Sequence, residues 1–361
     1  MGLFRILVIR LSSIGDIVHT LPAVAALAES LPEAEIAWAV ERRYAELLEG
    51  NPHVPRVVPL DTLGWRKRWT SAGTPREIAG ELGELRGFRA DLAIDFQGLI
   101  KSAVLARLSG APRRVGFGGQ WLRESLARAF YTESVEARGR CHVVEENLAL
   151  VERVGARPVA RQHWRFPLPV SDEAAGRVKE RLARLGIERF LVINPGGGWM
   201  SKRWAPERYA ELIGELEHQA RYTPLVTGSP AEEPTIREIL ERAQARRAQY
   251  YPSTVSEYIA LIRRASLFVG GDTGPLHLAV AVGTPIVAIY GPTNPARNGP
   301  FAPGDIAIWN QKAEGRKTGS EAPLQTHWHN KEGKNSAFIS DVSVDAVRAA
   351  IEQRLAAADG A

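Results

Sequence analysis

Three short stretches carry side chains whose types and spacing can do chemistry. Asp16 follows the apolar run Phe4–Ile9, in the loop Ser12-Ser13-Ile14-Gly15-Asp16. A carboxylate at the carboxyl end of a strand can take a proton as a general base. It can equally cap the helix expected over Thr20 to Leu31, with Pro22 in its first turn, and the residues alone favour the cap. His19 is close by and reads as a structural histidine. The second stretch, Asn194-Pro-Gly-Gly-Gly-Trp-Met-Ser-Lys202, puts three glycines at a strand end ahead of a lysine. Backbone N–H groups at Gly197 and Gly198, the Ser201 hydroxyl and the Lys202 ammonium suit a phosphate. The Gly-x-x-x-x-Gly-Lys-Ser/Thr spacing of a Walker A loop is missing. The third, Thr227-Gly-Ser-Pro-Ala-Glu232-Glu233, also ends a strand and opens a helix. Glu232 there suits ribose hydroxyls, or caps the helix, and the two roles are compatible.

These stretches are organised around Leu267 to Pro295, LFVGGDTGPLHLAVAVGTPIVAIYGPTNP. Leu267–Val269 reads as a buried strand end. Gly270 and Gly271 let the backbone pass close to a neighbour. Asp272 and Thr273 have the composition of a helix N-cap, and Pro275 suits a first turn. A short apolar helix, Leu276–Val282, and a second buried strand, Pro285–Tyr290, follow. A glycine turn between a strand and a helix start turns free N–H groups and a positive dipole end toward an anion. An ordinary βαβ unit with glycine corners has the same look.

The elements that must position these residues alternate between strand and helix with short connections, which implies parallel sheets covered on both faces. The pattern restarts after RFPLPVSD at 165–172, which reads as a linker, and the 361 residues suffice for two domains. The Trp/Arg-rich segment 62–75 reads as a mobile loop. The polar stretch 311–340 reads as a long loop, and Val342–Ala356 as an amphipathic closing helix. The apolar runs are too short for a membrane-spanning helix, and the N-terminus enters a strand directly, so a cytoplasmic protein is expected. The single Cys141 excludes an internal disulfide and a cysteine-rich zinc site. Net charge is +5, and residues 65–76 hold four basic side chains and no acid. Residues 101–130 hold Lys101, Arg107, Arg113, Arg114, Arg123 and Arg128 against Glu124. Such clusters suit phosphate-rich ligands or an anionic membrane surface, or form a solvated face. The first βα turn lacks Gly-x-Gly-x-x-Gly, which argues against a Rossmann dehydrogenase.

Taken together, RLSSIGDIVHTLPA, DFQGLIKSA, NPGGGWMSKRWAPERY, GSPAEE and GGDTGPLHLAVAVGTPIVAIYGPTNP resemble the heptosyltransferases of lipopolysaccharide core synthesis, glycosyltransferase family nine. The resemblance runs over most of residues 4–300. It implies a GT-B fold: two Rossmann-like parallel-sheet domains facing a cleft, with the C-terminal helix crossing back to the first. Residues 1–170 would bind the acceptor, 171–341 the ADP-sugar, and 342–361 would form the helix on the first domain. An ADP-heptose donor, inversion at the anomeric carbon and no metal or other cofactor are implied, with a Kdo-lipid A-type acceptor at the inner leaflet and no nucleic-acid partner. Asp16 would then be the base. Lys202 would meet the diphosphate, Glu232 the adenosine ribose, and Asp272, Thr273, Gly274 and His277 the sugar-diphosphate. Lys101 and Arg123 match acceptor-side positions, and Arg66, Lys67 and Arg68 join them as basic residues of the half without nucleotide loops. Gly196–Gly198 depart from the hydroxyl residues that often precede the lysine, so phosphate contact there would come from backbone. The 65–69 loop and FQGLIKSA favour the first heptosyltransferase of the pathway. A second heptosyltransferase, a transferase with another donor, a sugar-nucleotide epimerase and a non-catalytic nucleotide-sugar module are the alternatives.

Overall fold

The structure, a computed structural model, describes residues 3–68, 70–71, 73–136, 142–197, 202–309 and 337–359. Gly198, Ser201, Cys141 and most of the 311–340 stretch lie outside the described residues. The chain divides into two compact units, Met1–Pro169 and Val170–Ala361.

In the first unit the elements are β1 (Phe4–Ile9), α1 (Ile14–Ser30), β2 (Ala34–Glu41), β3 (Arg56–Leu60), α2 (Thr62–Lys67), α3 (Thr74–Gly87), β4 (Leu92–Asp95), α4 (Ile100–Leu108), β5 (Arg113–Gly118), β6 (Glu133–Glu136) and α5 (Val143–Glu152). They build one parallel six-stranded sheet in the order β3-β2-β1-β4-β5-β6. The strand order reverses between β1 and β4, which pair in register from Ile6 with Leu92 to Ile9 with Asp95. In open α/β sheets such a reversal opens the crevice where ligands sit, beyond the carboxyl ends of the strands. Ile6, Leu7, Val8 and Ile9 are all fully buried, as continuous apolar strands in the middle of a parallel sheet must be.

Three local expectations change. Helix α1 starts at Ile14 and not near Thr20, because Ser13 and Asp16 form a reciprocal capping box. Pro22 lies inside the helix, not in its first turn, and burial of most of α1 compensates for the backbone bond it removes. The segment expected as a mobile loop contains α2, whose start is fixed by Asp61 accepting from Gly64 N at 2.9 Å. Likewise, where the sequence pattern suggests a helix over residues 121–130, the chain makes two short 3-10 turns, Gly119–Trp121 and Ser125–Phe130.

The second unit comprises α6 (Asp172–Arg184), β7 (Phe190–Asn194), α7 (Pro206–Gln219), β8 (Thr223–Val226), α8 (Glu233–Arg242), β9 (Gln249–Tyr250), α9 (Val255–Ile262), β10 (Leu267–Gly271), α10 (Gly274–Ala281), β11 (Ile286–Tyr290), α11 (Pro295–Asn298), β12 (Ile306–Trp309), α12 (Ala337–Ser340) and α13 (Val344–Asp359). Its sheet, β12-β11-β10-β7-β8-β9, has the same connectivity as the first, and the reversal falls between β7 and β10.

The closing helix α13, expected on the first domain, buries its apolar face on α7, β11 and β12 of the second unit. Val344, Val347, Ile351 and Leu355 recur at helical spacing and join that unit's core. The chain entering the helix is pinned at the Val342 carbonyl, which accepts from Trp204 Nε1 at 2.9 Å and from Arg208 Nη1. Arg354 reaches Asp305 at 3.2 Å.

Gly271 ends β10 where the chain passes the Lys202 carbonyl. A Cβ there would sit 2.9 Å from that oxygen, closer than carbon and oxygen pack, and the obstacle is backbone. Gly271→Ala is therefore expected to destabilise the second unit by about 1–3 kcal/mol, as overpacking does. Urea unfolding checks it, and an unchanged midpoint would show that the Lys202 backbone is free to retreat.

Candidate functional site

Each unit carries a buried or half-buried aspartate at its strand-order reversal, and each aspartate is surrounded by donors. In the first unit Asp16 is the third residue of α1. Its Oδ1 lies 2.5 Å from Arg10 Nη2 and 3.1 Å from Arg123 Nη2. Its Oδ2 accepts from Ser13 N at 3.0 Å and from Ser13 Oγ at 3.1 Å. The Arg10 side chain is 2% exposed, that of Arg123 34%. Arg10 is locked further by a bond from its Nη1 to the Phe96 carbonyl, and its own carbonyl accepts from Trp38 Nε1 at 3.1 Å. Burial draws the Arg10 guanidinium down to about 10, against the pull of Asp16. Burial also pushes Asp16 upward, but Arg10 and then Arg123 overcome it and hold the carboxyl well below the usual carboxylate range. Asp16 is thus both a cap and an ion-paired carboxylate.

The loop after β4 completes this site. Leu11 N donates to Gln97 Oε1 at 2.8 Å, tying the loops after β1 and β4 together. Gly98 is left-handed at φ +67°, and its carbonyl accepts from Glu124 N at 3.2 Å, which brings Arg123 beside it. Asp95, fully buried below, accepts from Ser102 Oγ at 2.8 Å and Tyr131 OH at 2.6 Å. Burial raises its carboxyl, and it is a brace for the loop. Arg10 is a residue of this site that the sequence pattern does not single out. The available signal was a lone arginine directly after a wholly apolar strand.

The basic residues do not act alike. Arg66 and Lys67 are exposed on α2. Arg68 is held by Asp61 at 2.8 Å and Glu77 at 3.2 Å, so it serves its own segment. Lys101 lies in the first turn of α4; burial lowers its ammonium, Glu41 opposes this, and Arg66 and Arg43 lower it further. Lys101, Arg66 and Arg43 therefore lie within electrostatic reach of one another, with Glu41 and Glu124 beside Lys101 as counter-charges.

In the second unit Asp272 follows β10 and is 4% exposed. Lys202 Nζ lies 2.5 Å from its Oδ2, which also accepts from Thr293 Oγ1 at 2.7 Å. Its Oδ1 accepts from Asn298 Nδ2 at 2.8 Å and lies 3.2 Å from His277 Nε2. Burial pushes this carboxyl upward too, but Lys202 and His277 hold it far below the ordinary value. Four donors fill the roughly four lone-pair positions of a carboxylate. Asp272 is thus a hub joining the loops after β7, β10 and β11, and a direct contact with phosphate would set two anions together. Thr293 and Asn298 were missed by sequence reasoning, although both lie in or just after the GPTNP loop. Thr273 is the N-cap of α10 and gives it no side-chain cap, so Gly274 opens a first turn suited to an anion. Glu232 accepts from Gly197 N at 3.2 Å and from Ser229 N and Oγ, both at 2.8 Å. It shapes the Gly196–Gly197 loop, and a Cβ on Gly196 would meet its carboxylate at 2.3 Å.

Comparison with known proteins bears on this geometry. Residues 82–327 match the family model described as glycosyltransferase family 9 (heptosyltransferase). Lipopolysaccharide heptosyltransferase 1 of Pseudomonas aeruginosa is 32% identical over 84% of this chain and 83% of its own length. The enzyme of the same name from Escherichia coli K12 is 30% identical over 82% of this chain and 91% of its own. The solved structure of E. coli heptosyltransferase WaaC with ADP-2-deoxy-2-fluoro heptose superposes with a TM-score of 0.74 at 25% identity, over 97% of this chain and 99% of that one.

Proposed function

Since the chain belongs to glycosyltransferase family 9, the heptosyltransferases, and has their α/β GT-B-like fold, we propose that it moves heptose from ADP-heptose to a Kdo residue of the lipopolysaccharide inner core, with inversion. The observation that carries this reading is the division of labour between the two aspartate sites. The second unit offers the diphosphate a lysine and a helix start: Lys202 donates to the carboxylate and, at 3.5 Å, to the carbonyl of Asp272, and has a third donor for phosphate. The first offers the acceptor a carboxylate set among arginines. An acceptor hydroxyl beside Asp16 gives its proton to the carboxylate, its oxygen bonds to the anomeric carbon, and the bond from that carbon to the β-phosphate oxygen of ADP breaks. The basic side chains of Lys101, Arg66 and Arg43 take the anionic groups of the acceptor. Glu232 holds the glycine loop against the nucleotide, with ribose contact as its second role.

Among the described residues no helix is long and apolar enough to cross a membrane. We place the enzyme in the cytoplasm, with peripheral contact at the inner membrane, on the strength of its basic surface and a lipid-borne acceptor. The test of function is mass spectrometry of products from ADP-heptose with Kdo-lipid A and, separately, with an acceptor that already carries heptose. A single heptose added to the first acceptor supports the reading. Reaction with the second acceptor alone would move the assignment to a second heptosyltransferase.

A further inference from the structure

Asp16 cannot accept a proton in the arrangement described. A carboxylate has about four lone-pair positions, and Arg10, Arg123, Ser13 N and Ser13 Oγ occupy them. One donor must leave before an acceptor hydroxyl can bond to the carboxylate. Arg10 is buried and tied to the Phe96 carbonyl, and Ser13 N belongs to the cap of α1. The Ser13 hydroxyl can rotate away, but its loss leaves both positive charges in place. Arg123 differs from these. Its backbone is fixed beside Gly98 through Glu124 N, and the Glu124 carboxylate is fixed by Ile100 N at 2.6 Å, yet its side chain is one-third exposed. The guanidinium can therefore swing from Asp16 while its Cα stays. It is also the donor that an incoming anion competes for most strongly, since guanidinium groups bind carboxylate or phosphate with two parallel bonds.

Taking Asp16 as the base, we propose that Arg123 holds it in a resting pair, and that a carboxylate or phosphate carried by the acceptor draws Arg123 away and frees the carboxylate. Arg123 is then a positioning residue that couples acceptor binding to proton transfer. Its departure also raises the proton affinity of Asp16, which still faces Arg10, His19 and the Tyr44 phenol. The resting pair protects the donor, because two arginines on the Asp16 carboxylate hold its proton affinity too low to activate water.

The experiment measures ADP release from ADP-heptose without acceptor, and transfer to two acceptor analogues, one with its sugar-acid carboxylates esterified and one lacking the lipid phosphates. The variants are Arg123→Gln, Arg123→Lys, Ser13→Ala and Asp16→Asn. Arg123→Gln should raise donor hydrolysis about tenfold, the effect of one unit of proton affinity. It should also transfer to the analogue lacking the relevant anion faster than wild type, while KM for the full acceptor rises. Arg123→Lys should stay near the wild-type hydrolysis rate, and adding Asp16→Asn to Arg123→Gln should abolish the gain. Whichever analogue wild type handles poorly identifies the anion as carboxylate or phosphate. Unchanged or lower hydrolysis in Arg123→Gln overturns the proposal, as does a gain in Ser13→Ala alone. Full transfer by Asp16→Asn would instead remove the base assignment itself, an outcome distinct from failure of the Arg123 coupling.

Discussion

Asp16→Asn is expected to lower the single-turnover rate by roughly 10²–10⁴-fold, the usual worth of a positioned general base. Caps alone would predict little effect on rate or stability, since asparagine caps helices about as well as aspartate. The surroundings of Asp16 predict otherwise for stability. Whichever way the amide turns, its NH₂ group faces either the two guanidiniums at Oδ1 or the Ser13 donors at Oδ2. Arg10 is left buried without its carboxylate. Removing one partner of a buried pair costs about 3–5 kcal/mol, and water at the partly exposed Asp16 brings the expectation to the low end, about 3. Turnover must therefore be measured well below the melting transition and scaled to folded protein. A rate near wild type under those conditions would leave Asp16 with its capping role alone.

Lys202→Met should weaken ADP binding by about 10–100-fold, the loss of one charge-assisted hydrogen bond. Turnover should fall further, by about 10²–10³-fold, because the ammonium also meets the charge that develops on the departing diphosphate. Folding should suffer less than in Asp16→Asn. Asp272 keeps Thr293, Asn298 and His277 when the lysine is gone. Calorimetry with ADP separates the two effects, and unchanged ADP affinity would remove Lys202 from the donor site.

How much of this was legible in the sequence depends on the range of the interaction. The strands β1, β7, β10 and β11 are apolar runs whose burial needs no partner to be inferred, and the glycine and Asp-Thr-Gly turns that follow them mark the donor loops. Asp16, Lys202 and Asp272 stood out for that reason. The start of α1 was misjudged because Pro22 looks like a first-turn proline, while the Ser13–Asp16 capping box is a weaker signal in sequence. Helix α2 is hidden by its brevity and by Trp65; Asp61, which caps it, precedes the segment. What no periodicity could supply was pairing across the sheet. Arg123 meets Asp16 over 107 residues, and Lys202 meets Asp272 over 70. The direction of α13 belongs to the same class. Its apolar stripe was evident, but a stripe specifies a partner surface without saying which unit provides it.

The packing of α13 sets an order of events during synthesis. The first unit has all its strands and its core by Pro169, and nothing delays its closure once those residues have left the ribosome. The second has its sheet complete at Trp309, but Val347, Ile351 and Leu355, which cover the flank of α7, β11 and β12, arrive later. Domains fold as units during translation at ~5–20 residues per second. The nascent second unit thus waits several seconds for α13, and any chain truncated ahead of Val344 lacks that cover permanently. Quality control in the cell therefore has a late-made segment to sense.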